Sequence, residues 1–132
     1  MPSNAPLIHI GYQKTASTFL QRRIFADDST FALPWGAQSA LGIEHFLLAH
    51  PETQDVDAVR ASLGDHPDRI PVVSQEDLSG YPIHGQYYAA SVAQRIKHIF
   101  PEAKVLICIR EQTSMLVSQY FQYARQGGDR TL

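Results

Sequence analysis

The stretch Leu7-Ile8-His9-Ile10-Gly11-Tyr12-Gln13-Lys14-Thr15-Ala16-Ser17-Thr18-Phe19-Leu20 decides how the chain is read. Four β-prone residues end at a glycine and predict a short buried strand. From about Ala16 to Phe25 the residues Phe19, Leu20, Ile24 and Phe25 gather near one face of a helix. Ser17 and Thr18 sit at its start, where hydroxyls can satisfy free backbone N–H groups. The opening is therefore strand, polar loop, helix.

The same unit returns later. Tyr87 to Phe100 predicts an amphipathic helix, with Val92, Ile96 and Phe100 repeating every four residues and Pro101 ending it. Lys104-Val105-Leu106-Ile107-Cys108-Ile109 follows as a nearly all-apolar strand, the pattern of a strand covered on both faces. Arg110 stands at its carboxyl end, and Thr113 is the expected cap of a helix that Gly127-Gly128 stops. Between these units, Phe31 to Gly42 reads as loop, Ile43–Leu48 and Val56–Leu63 as short helices, and Arg69–Ser74 as a strand. Strands alternating with helices predict a parallel sheet and an α/β three-layer sandwich forming one domain over residues 1–132.

Composition removes several classes. The 132 residues are 44% apolar and 18% charged, typical of a globular domain. A formal charge of −2 lacks the basic footprint of a nucleic-acid binder. One cysteine excludes a disulfide framework and a cysteine-rich zinc site. The six histidines show no metal-ligand spacing, so no metal is implied. The longest apolar run is too short for a membrane span, and the start is not a secretion signal, so the expected location is cytoplasmic.

Ligands of open parallel sheets bind beyond the carboxyl ends of the strands. Three polar clusters fall there: Tyr12 to Thr18, Ser74-Gln75-Glu76-Asp77, and Arg110 with Ser114 and Ser118. The first joins a lysine and three hydroxyls to a helix start, which suits an anion. Gly11-x-x-Lys14-Thr15 is two residues short of a Walker A loop and has Gln13 in place of its second glycine. A single phosphate fits it better than a triphosphate with magnesium.

Gln13-Lys14-Thr15-Ala16-Ser17-Thr18-Phe19-Leu20 resembles the first motif of the sulfotransferases that use 3′-phosphoadenosine 5′-phosphosulfate (PAPS), Pro-Lys-Ser/Thr-Gly-Thr-Thr-Trp-Leu. Arg110, Ser118 and Tyr120 match the spacing of that family's second motif. The resemblance implies a P-loop NTPase-like sulfotransferase fold, apparently truncated after the second motif's helix, with PAPS as the sulfuryl donor. Lys14 would contact the 5′-phosphate and bridging oxygen, and Thr15, Ala16, Ser17 and Thr18 would hold the phosphosulfate. Arg110 and Ser118 would bind the 3′-phosphate.

The family's base is a histidine or a glutamate. Glu76 is the choice here, with His84 in reserve, slightly ahead of the reading in which Ser74-x-x-Asp77 is a variant capping box. The acceptor would be a small-molecule or glycan hydroxyl, and Tyr81, Tyr87, Tyr88, Tyr120, Phe121 and Tyr123 are candidates to line its pocket or that of adenine. The departures are Gln13, Ala16, Phe19 and Gln112; Ala16 bears most on the site if that position needs a positive φ. Two other readings stay open, a phosphoadenosine-binding module without turnover and a P-loop kinase relative using Asp77. A sheet edge left exposed would permit a homo-oligomer.

Overall fold

A computed structural model describes residues 4–80, 85 and 87–131. Its centre is a four-stranded sheet of β1 (Leu7–His9), β2 (Phe31–Ala32), β3 (Ile70–Ser74) and β4 (Lys104–Leu106), in the order β2-β3-β1-β4. Every pairing is parallel, with Ile8 opposite Val73 and Val105. The fold is α/β, as the alternation of strand and helix predicts.

The two faces of β1 and β3 are built differently. Ile8 and Val73 face an apolar core with Trp35, Phe46 and Phe100, closed by Val92, Ile96 and Ile99 of α4 (Ala89–Ile99). Val59 and Leu63, from α3 (Val56–Ser62) and its end, complete that core. The face carrying His9 and Ser74 is covered by the helix after β1. That helix opens with one α turn, α1 (Ser17–Phe19), and continues as a π turn, Leu20–Ile24, in which the Phe25 N–H reaches back to the Leu20 carbonyl.

The wider π winding corrects the expected apolar face. Ser17, Gln21 and Phe25, four apart, are the buried stripe, while Phe19 and Ile24 are exposed. Gln21 tolerates burial because its Nε2 donates to Ser74 Oγ at 3.0 Å. A second π turn, Glu44–Leu48, continues α2 (Ala40–Ile43) and buries Phe46.

Three further expectations change. Phe31–Ala32 is a strand within the segment read as loop; at two residues it is too short for any periodicity to register. The last strand is regular only to Leu106, although its ladder to the first continues through the Cys108 N–H bond to the Gly11 carbonyl. It is an edge strand, and Val105, Ile107 and Ile109 are 51%, 48% and 83% exposed rather than covered. Finally, α5 (Gln112–Arg125) is capped by Glu111, whose carboxylate accepts from the Thr113 and Ser114 N–H groups, and not by Thr113. Those bonds hold the Glu111 carboxyl below the ordinary range. No helix among the described residues is long and apolar enough to cross a membrane.

Candidate functional site

A parallel sheet brings the carboxyl ends of its strands to one edge, so the residues following β1, β3 and β4 must converge. They do. Lys14, Ala16, Ser17 and Thr18 from the first loop, Glu76 and Asp77 from the second, and Arg110 from the third line one hollow of about 630 Å³. A second hollow of about 630 Å³ adjoins it through Lys14, Arg110 and Gln122, and is walled by Ser114, Val117, Ser118, Phe121 and Arg125 of α5.

Lys14 and Ala16 both lie in the left-handed region, with φ of 62° and 64°. The alternation turns the loop into a concave backbone. Among the described residues, the N–H groups of Lys14, Thr15, Ala16 and Ser17 donate to no backbone carbonyl. Consecutive free N–H groups in such a turn form an anion-binding concavity. The loop is braced from below: the Thr15 hydroxyl donates to the Tyr12 carbonyl, and the Ser17 hydroxyl donates to it at 3.3 Å. Thr15 is therefore turned inward and offers a ligand its backbone rather than its hydroxyl. Thr18 is exposed and free to face one.

Arg110 bridges the two motifs. Its Nη1 donates to the Lys14 carbonyl at 3.2 Å and its Nε to Ser114 Oγ at 3.0 Å. Neither of the ion pairs conceivable for it, with Glu111 or Asp77, forms; Arg60–Asp57 is the ion pair among the described residues. Ser118 lies one helical turn beyond Ser114 on the same wall of the second hollow.

Glu76 opens a single 3-10 turn, Glu76–Ser79, directly after β3. Burial and the adjacent Asp77 push its carboxyl above the ordinary 4.5, while the Ser17 hydroxyl and the Lys14 charge oppose that shift. The turn's cap is Gln75, which accepts from the Asp77 N–H at 3.2 Å. The capping box through Ser74 is thus absent. Ser74 is fully buried, and its N–H donates to Ser39 Oγ.

His9 is also fully buried, with Nδ1 2.8 Å from Ser74 Oγ, and burial lowers its pKa from 6.5. It belongs to the packing beneath the site. His84 and Tyr81 lie outside the described residues. Of the remaining aromatic candidates, Phe121 lines the cleft.

Gln122 and Arg125 also line the cleft and were not singled out in the sequence. Ser114, Ser118, Gln122 and Arg125 are spaced four, four and three apart, which is one helix face. Extending the Ser114–Ser118 spacing by two turns would have found both. Comparison with protein-family models, curated proteins and solved structures finds no match to this chain.

Proposed function

We propose that the cleft binds PAPS and that the protein is a sulfotransferase acting on a hydroxyl of a small molecule or carbohydrate, with the P-loop-like sulfotransferase fold its motifs resemble. The observation that carries this reading is the convergence of the two motifs, with the Arg110 guanidinium 3.2 Å from the Lys14 carbonyl. The donor set suits the ligand. The first hollow offers Lys14, Thr18 and the free N–H groups of the turn to a 5′-phosphosulfate. The second offers Arg110 and Ser118 to a 3′-phosphate, and exposed Val117 and Phe121 to the flat face of a base.

When bound, PAPS supplies a sulfuryl group whose bond to the bridging oxygen breaks as a bond from the acceptor oxygen to sulfur forms. The protein's share is orientation and electrostatics, by analogy with phosphoryl transfer. Glu76 takes the acceptor hydroxyl proton; a carboxylate raised by burial is a better base than an exposed one. Lys14 holds positive charge beside the departing 3′-phosphoadenosine 5′-phosphate. Arg110 fixes the nucleotide by its 3′-phosphate through its terminal nitrogens, since its Nε is engaged by Ser114 Oγ.

Release of 3′-phosphoadenosine 5′-phosphate from PAPS, followed across a panel of phenols and sugars, tests the assignment. Acceptor-dependent release is expected, falling by about 10²- to 10⁴-fold in Glu76→Gln. Nucleotide binding with no release from any acceptor would favour the module without turnover.

A further inference from the structure

Gln13 stands where the resembling motif has proline, and it is nine-tenths buried. Its Nε2 donates to the Gly80 carbonyl at 2.9 Å and lies 3.4 Å from both the Glu76 carbonyl and Asp77 Oδ1. Three oxygens converging on one nitrogen fix the amide's orientation, because the flipped amide would set oxygen against oxygen. Among the described residues its Oε1 has no partner, so this side of the amide is buried without a hydrogen bond. An amide nitrogen bonded to the Gly80 carbonyl and close to two oxygens of the turn before it restrains that turn.

What it touches is the turn carrying Glu76. The same turn also presses on the first loop at Gly11, where a Cβ would lie 2.6 Å from the Glu76 carbonyl oxygen. We infer that Gln13 is a positioning residue: its amide ties the Glu76–Ser79 turn to the Tyr12–Ala16 loop, so that the Glu76 carboxylate is held over Lys14 and Ser17. The inference rests on the reading of this cleft as a transfer site. Proline could supply no such donor, so a chain with glutamine here gains a link between its anion loop and its base.

The test is the titration of the Glu76 carboxyl, followed by carbon-detected NMR in the wild-type chain and in Gln13→Met, which keeps the length and loses the donor. Lys14, Asp77 and Arg110 line the same hollow and are unchanged in the variant. Burial is the largest influence on Glu76. Loosening the turn therefore hydrates the carboxyl, and its pKa is expected to fall toward 4.5. Gln13→Asn, one methylene too short to span to Gly80, is expected to move it the same way and serves where Gln13→Met does not fold. In the wild-type chain the Gln13 side-chain amide protons should exchange slowly.

An unmoved Glu76 titration in a folded variant, or Gln13 amide protons exchanging as fast as those of a free glutamine, overturns the inference. Affinity for 3′-phosphoadenosine 5′-phosphate is measured on the same samples. A wild-type chain that does not bind it refutes the nucleotide reading, while the titration still decides the role of Gln13.

Discussion

Two residues in the first loop carry opposite backbone consequences. Ala16 holds φ of 64°, a conformation that costs a residue with a Cβ roughly 1–2 kcal/mol. Its methyl also lines the hollow. Ala16→Gly is expected to relieve that strain, offset by about 0.4–1 kcal/mol of unfolded-state entropy, so the urea midpoint should hardly move. Affinity for 3′-phosphoadenosine 5′-phosphate should rise as the backbone opens to the phosphate. Gly11 is the reverse case: φ is 97°, and an added Cβ would sit 2.6 Å from the Glu76 carbonyl oxygen. Gly11→Ala should cost about 2–4 kcal/mol, read from chemical denaturation, because strain and overpacking add. A Gly11→Ala variant as stable as wild type would mean the loop does not adopt this turn.

At the scale of the element, β1 and β3 are linked on their polar face by His9, Ser74 and Gln21, all buried. His9 is held below its unfolded value of 6.5 by burial. The unfolded chain thus takes up this proton first. The His9 contribution to stability is intact above pH 6.5 and is lost as the pH falls below 6.5 toward the folded pKa. Urea midpoints at pH 5 and 7.5 should differ more in wild type than in His9→Gln, which cannot titrate; identical differences would show that His9 is not buried neutral.

The same element shows what was legible beforehand. Leu7–Ile10 announced a strand because its residues are apolar and β-prone, and Val92, Ile96 and Phe100 announced α4 because one core receives them all. Phe19 and Ile24 misled because the helix winds as a π turn and Ser74 supplies a partner for buried Gln21, neither of which local periodicity encodes. Val105, Ile107 and Ile109 misled because an apolar run reads the same at a sheet edge as at its centre. The site was clearer than its surroundings. Lys14, Glu76 and Arg110 each follow a strand, and parallel pairing alone brings them together. Gln13 was visible only as a departure from a motif, since its partners are more than sixty residues away in sequence.

Across the whole molecule, one end of the sheet gathers a concave turn whose N–H groups donate to no described backbone carbonyl, a lysine, an arginine and a shielded carboxylate. On the proposed reading the hollow holding Ser118 takes a second anionic group remote from the first, and this predicts selectivity. Charge-assisted hydrogen bonds contribute about 1.5–3 kcal/mol each, so Arg110→Ala should weaken a bisphosphate by roughly 10- to 150-fold and a monophosphate by less. Lys14→Ala should weaken both. The most direct measurement is calorimetric titration of the chain with 3′-phosphoadenosine 5′-phosphate and, in parallel, with 5′-AMP in metal-free buffer. The account predicts clearly tighter binding of the bisphosphate, with that preference abolished in Arg110→Ala; equal affinity for the two nucleotides, or no binding of either, would contradict it.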